Sequence, residues 1–212
     1  MVKKIAQILL AVLIVALTYV IYKQISTPIN FEKDTKARKA LVIERIKDVR
    51  AAERAYKQKY QRFTADFDTL INFVLTETLE GERKIVDEYD SVAMAQLKKA
   101  GKKNVEKFTI AVIDTIFSPR KLTPEQVMEL RYIPGTNNQT EFILEAGLLQ
   151  TESKLVIPVV ECRAPYIAFL DTVTYRQEVI NLVDEEVNNF NRYAGVKFGS
   201  MEGGNNEAGN WE

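Results

Sequence analysis

Eighteen consecutive residues, Ile5 to Tyr22, carry no charge, and only Gln7 and Thr18 among them are polar. Such a run is costly to leave in water. As a helix rising 1.5 Å per residue it spans about 27 Å, close to the hydrocarbon thickness of a thin bilayer. Tyr19 and Tyr22 stand where interfacial aromatics stand. A cleaved signal peptide would show a shorter apolar region followed by a small-residue cleavage site. Here the chain continues Tyr22-Lys23-Gln24-Ile25, so residues 1–27 are expected to form an uncleaved transmembrane anchor. Lys3 and Lys4 precede the run and a larger basic cluster follows it. Long C-terminal domains cross the membrane largely regardless of charge, so the N-terminus is expected on the cytoplasmic side. The lipid bilayer is the first expected partner.

A second constraint follows at once. Past Thr27-Pro28 no Gly or Pro occurs up to Tyr60, and Val42, Ile46, Val49, Ala52, Tyr56, Tyr60 and Phe63 recur at intervals of three and four. That is one apolar stripe along a helix, which makes residues 28–63 a membrane-proximal stalk. Pro28 either restarts the helix or kinks a continuous one. Such a stripe ordinarily packs on its own domain. The sharper expectation is that Val42, Ile46, Val49 and Tyr56 also touch a partner, another envelope protein or a second copy, through the transmembrane and stalk helices.

The formal net charge of zero hides an asymmetry. Residues 1–60 hold 13 Lys/Arg against 5 Asp/Glu, and residues 61–212 hold 16 against 24. The balanced total speaks against a nucleic-acid partner of the basic-domain kind. The chain has no histidine, which removes Ser-His-Asp and Cys-His nucleophiles and every His-ligated metal site. The lone Cys162 can close no internal disulfide and is expected to be a buried, inert thiol. No Gly-rich phosphate loop, Ser elbow or dinucleotide fingerprint occurs. Glu141, Glu145 and Glu161 could meet on neighbouring strands, but exposed Glu is ordinary on a sheet. Asp184-Glu185-Glu186 lacks the loop of a Ca²⁺ site. No enzyme, cofactor or metal is therefore expected.

The segment Ile46-Lys47-Asp48-Val49-Arg50-Ala51-Ala52-Glu53-Arg54-Ala55-Tyr56-Lys57, followed by Tyr60-Gln61-Arg62-Phe63-Thr64-Ala65-Asp66-Phe67-Asp68-Thr69-Leu70, resembles the N-terminal part of type IV pilins and type II secretion pseudopilins. The resemblance covers residues 1 to about 75 and implies a stalk helix leading through a short turn into a small sheet domain. It departs from the family in having no Gly before Gly81 and no Glu before Glu32. Processing by a leader peptidase and docking of a Glu on a neighbour's N-terminus are thus not expected. The implied placement is the bacterial inner membrane, with the C-terminal part in the periplasm.

Residues 64–199 read as an α+β domain. Thr64 is expected to cap a helix to Val74, and residues 80–100 are helix-permissive up to Gly101. Phe108–Phe117 reads as a buried strand, Thr123-Pro124-Glu125-Gln126 as a capping box, and Leu130–Ile133 as a strand. Residues 140–150 alternate and pair with Leu155–Cys162 in an antiparallel sheet. A helix from Thr174 should face that sheet with Val179, Ile180, Val183, Val187 and Phe190, and Val196-Lys197-Phe198 can add a last strand. Residues 200–212 read as a flexible tail. Its Trp211 and terminal Glu212 are also suited to docking, on this domain or on a partner.

Four Asp-Ser/Thr-aliphatic triplets, at Thr69, Ser91, Thr115 and Thr172, resemble the O-glycan acceptor pattern of some bacterial envelope proteins. Otherwise they are helix caps and strand starts. Together these features lead to the expectation of a membrane-anchored, pilin-like structural or assembly component of an envelope complex. A tethered periplasmic module that binds a glycan or peptide is the alternative.

Overall fold

The computed structural model describes residues 2–87, 89–101, 103–118 and 120–212. One helix, α1, runs unbroken from Val2 to Tyr60. It passes through Pro28, whose missing N–H leaves the Gln24 carbonyl without its helical donor. Beside it the Thr27 hydroxyl donates to the Lys23 carbonyl at 2.7 Å. The first part of α1 is long and apolar enough to cross a membrane, and that window is not covered by the rest of the protein. The helix ends where Gln61 adopts the left-handed region, φ 57°.

The stripe on the second half of α1 is the centre of the core. Val42, Ile46, Val49 and Ala52 are fully buried, and Tyr56 nearly so. This corrects their expected role as partner contacts, because their own domain already covers them. Tyr60 departs from the stripe and is exposed. The stalk is therefore not a separate unit beneath the domain. It is the rod around which the domain folds.

Packed on this rod is α2, Phe67–Thr76, which buries Phe67, Leu70, Ile71, Phe73 and Val74. Its cap is Asp66, not Thr64. The Asp66 carboxylate accepts from the N–H groups of Asp68 and Thr69, which satisfies donors that the first helical turn leaves free. Phe73 meets Tyr56 edge-on at 5.2 Å between centroids. Next comes a two-stranded antiparallel arm, β1 Thr78–Arg83 with β2 Glu106–Ala111, carrying α3, Ser91–Lys99, at its end. The expected helix over residues 80–100 is thus strand first and helix second. The expected strand Phe108–Phe117 likewise changes midway, becoming α4, Val112–Ile116. The turn to helix aims Val112 and Phe117 into the core.

At α5, Pro124–Met128, the capping box is complete. Thr123 accepts from the Gln126 N–H, and the Gln126 side chain accepts from the Thr123 N–H. A 3₁₀ turn, Glu129–Arg131, replaces the expected strand at Leu130–Ile133 and still buries Leu130 and Ile133. The main sheet has the order β3-β4-β5 and is antiparallel throughout: β3 Ile143–Gln150, β4 Val156–Pro165, β5 Gly195–Gly199. Leu144 pairs with Cys162 and Cys162 with Phe198, and this row points into the core. Between β4 and β5 lie the single turn α6, Tyr166–Phe169, and α7, Arg176–Asp184, which is continued by a π-helical turn, Glu185–Asn189. The architecture is α+β: a long helix clasped by helices and two small antiparallel sheets.

Ile46→Ala keeps helix propensity and removes a fully buried side chain from the rod. We expect it to lower unfolding stability by about 2–5 kcal/mol, with helix content near wild type, in denaturant titration followed by circular dichroism.

Candidate functional site

Two features distinguish α1 beyond packing, a carboxyl buried in its middle and a basic face that holds the C-terminus. Glu53 lies on the buried side and is fully covered. Its Oε2 accepts from the Thr64 N–H at 3.2 Å, while Oε1 has no hydrogen-bond partner among the described residues. Burial disfavours the charged form and pushes this carboxyl from its usual 4.5 up to about 8, only partly offset by the Thr64 bond. The Cys162 thiol is buried and also pushed up, by desolvation first and by Glu53 second. A fully covered, protonated thiol is a poor nucleophile.

On a neighbouring face, Arg50, Arg54 and Lys57 follow one another at intervals of four and three. Glu207 accepts from Arg54 at 3.2 Å and from Lys57 at 3.1 Å, and Glu212 accepts from Arg50 at 2.6 Å. The Arg50 guanidinium also lies over the Trp211 ring at 5.4 Å. Trp211 closes over Gly209, where a Cβ would stand 2.4 Å from the indole. Gly199, at φ +76°, turns the chain out of β5, and a Cβ there would collide with the Val160 carbonyl. Phe198 then bridges to Gly209, and Asn210 accepts from the Lys197 N–H. Residues 200–212 are a hook clamped onto α1, not a free tail. Of the two docking sites open to Trp211 and Glu212, the chain's own domain or a partner, the structure shows the first: both sit on Arg50 of α1.

The remaining candidates fall into ion pairs. Glu145 and Glu161 do stand opposite each other, but Arg163 reaches both, at 2.8 and 3.4 Å, and Lys197 also reaches Glu161. Glu141 pairs instead with Arg131. Asp48 is buried on α1 and paired with Arg120, which also holds Glu44 at 2.8 Å. Among the described residues no group of His, Cys, Asp or Glu is arranged to hold a metal ion.

The four Ser/Thr of the acceptor-like triplets are all exposed. Their Asp partners sit at helix starts. Asp90 caps α3, Asp68 and Asp114 lie in the first turns of α2 and α4, and Asp171 accepts from the N–H groups of Val173 and Thr174 just before α7.

Sequence reading missed the surface of α6 and α7. Of the five residues of α7 and its continuation expected to face the sheet, only Val179 is buried, while Ile180, Val187 and Phe190 are exposed. Ile180, Val183 and Val187, with Ile167 and Val173, line an open apolar groove of about 750 Å³. The only signal in the sequence was an apolar face wider than a three-stranded sheet can cover. No family model, curated protein or solved structure shows significant similarity to the chain.

Two expectations follow. The native state holds a proton on Glu53 between about pH 4.5 and 8 that the unfolded chain releases. Its stabilisation is complete below 4.5 and is lost as pH rises to 8. Glu53→Gln should therefore leave the melting temperature near wild type at pH 4.5 and exceed it at pH 8, by on the order of a few kcal/mol in stability. Deleting residues 208–212 should lower the melting temperature by about 2–4 °C for a loss near 1 kcal/mol. Arg50→Ala should shift the emission of Trp211, the sole tryptophan, to the red.

Proposed function

We propose that the protein is a single-pass, membrane-anchored assembly component of a bacterial cell-envelope complex, pilin-like in construction, with its N-terminus cytoplasmic and its domain periplasmic. The observation that carries this reading is that anchor and core rod are one helix, Val2–Tyr60. A domain folded around the continuation of its own membrane span is held at a set height and orientation above the lipid. A tether for a freely diffusing module does not need that rigidity. The long-range ion pairs that fasten the domain to the rod support a holding role. Leu41, exposed on the stalk, and the uncovered residues of the span are the surfaces left for a protein partner or a second copy. Glycans on Thr69, Ser91, Thr115 or Thr172 would be borne on exposed helix starts.

A second reading, capture of an envelope glycan or peptide, draws on a smaller cleft of about 280 Å³ beside the hook. Lys57, Asn205, Asn206 and Glu207 give it polar donors and acceptors.

A photoreactive residue at Leu41 or Val12 is expected to yield a discrete crosslinked adduct in intact cells, identified by mass spectrometry. Monomer alone from both positions, together with detergent purification free of other proteins, would refute the assembly reading. Unmodified peptides at all four acceptor positions would remove the glycan.

A further inference from the structure

The apolar groove of α6 and α7 lies at the end of the domain nearest the anchor. Four contacts place it there. The Tyr175 ring packs on Phe31 at 5.5 Å and its hydroxyl donates to Asp34 at 3.1 Å. Arg38 donates to the Phe169 carbonyl at 2.9 Å, and Lys39 to the Tyr166 hydroxyl at 3.2 Å. Phe31 and Asp34 stand about two to three turns past Tyr22, and Arg38 and Lys39 between about four and five turns past it. Between Tyr22 and Phe31 the helix is unbroken, about 13 Å at 1.5 Å per residue. If the apolar surface continues to Ile25, which is exposed, that gap shrinks to about 9 Å. The headgroup layer of each leaflet is about 5–8 Å thick. Membrane helices tilt by about 20° on average, which lowers one flank of any domain rigidly joined to them.

The flank that carries the groove exposes Ile167, Val173, Ile180, Val187 and Phe190, with Val173 at 91%. A contiguous apolar patch of this kind on an exported domain is costly in water. Lys23, Lys33 and Lys36 follow the span on α1, are exposed and suit anionic headgroups, while Arg176 and Asp184, which also line the groove, are exposed as well.

We infer that this α6–α7 face is a second membrane contact, seated in the headgroup layer of the leaflet that the anchor leaves, so that the domain leans on the bilayer instead of standing clear of it. The occupant is the lipid surface itself. The place of the face at the anchor end of the domain, held by Tyr175 to Phe31 nine residues of helix past Tyr22, selects lipid over a soluble partner. The inference rests on the anchored reading proposed above. Its consequence is a fixed lean: α7 down, with the β1-β2 arm, held at the far end of α1 by Lys59 on the Thr78 carbonyl, free of the lipid.

The test uses the full chain with single cysteines at Val173, Val187, Leu148 and Ile14, each carrying a bimane label. Cys162 is retained because it is fully buried. The protein is reconstituted in vesicles of phosphatidylcholine and phosphatidylglycerol, with and without lipids brominated near the headgroup or at mid-chain. The expected result is loss of emission at Val173 and Val187 with headgroup-proximal bromine, at high salt as well as low. Leu148, at the β3–β4 hairpin, should be unaffected, and Ile14 quenched by mid-chain bromine. Quenching at Ile14 with none at Val173 and Val187 would overturn this inference and leave the anchor intact. Quenching that disappears at high salt would also overturn it, since the basic stalk alone would then account for the approach. A blue shift at Val173 that depends on protein density and not on bromine would assign the face to a second copy. An unquenched Ile14 would refute the anchored reading itself, and this inference with it.

Discussion

The structure depends on one covalent continuity, a helix that leaves the lipid-compatible segment and enters the protein core without a break. Its first half presents apolar side chains on every side, as a solvent of hydrocarbon demands. Its second half confines them to a stripe, because water wets the other faces. Val42, Ile46, Val49 and Ala52 vanish into the domain, and α2, α4, β5 and the 3₁₀ turn all pack against this part of the rod. The rest of the fold is secondary to that arrangement. The sheet is only three strands wide and would be marginal alone, but it is laid on a helix that supplies its hydrophobic floor.

Polar groups on the rod decide how the rest is oriented on it. Arg50, Arg54 and Lys57 clamp the C-terminal hook, Asp48 holds Arg120 from the loop after α4, and Arg38 and Lys39 hold α6. Each pair joins residues far apart in sequence. Most are partly exposed, where a single ion pair contributes little. Their effect lies in number and direction, since together they fix rotation about the helix axis. Glu53 is the exception, a buried carboxyl with one donor, kept neutral by its surroundings at physiological pH.

A rigid rod joined to a span also transmits geometry. If the first half of α1 spans a bilayer, as proposed, the domain has a set height above it, and the composition of its lower surface becomes a property of the membrane interface. The apolar exposure of α6 and α7 would be a solubility fault on a free domain. On the anchored reading proposed above, it has a solvent to match.

Much of this was readable from residue order. The exposed apolar first half of α1 follows from eighteen uncharged positions, the rod from three-four spacing, the capping box from Thr123 to Gln126, and the β3–β4 pairing from alternation. Local rules carry these features, because a helix period or a cap is set within a few residues. The sequence alone did not determine where strands give way to helices in 80–117, since short runs rich in Ile, Val and Thr suit either state until a neighbour covers one face. It did not reveal that Asp66 and not Thr64 caps α2, a choice made by the packing of Phe67 and Leu70. Nor did it show that the stripe's partner is the chain's own domain, that a Gly/Asn-rich end folds back 150 residues onto Arg50, Arg54 and Lys57, or that half of α7 stays uncovered. Those outcomes depend on which surfaces meet across long sequence separations, and only the tertiary structure brings them together.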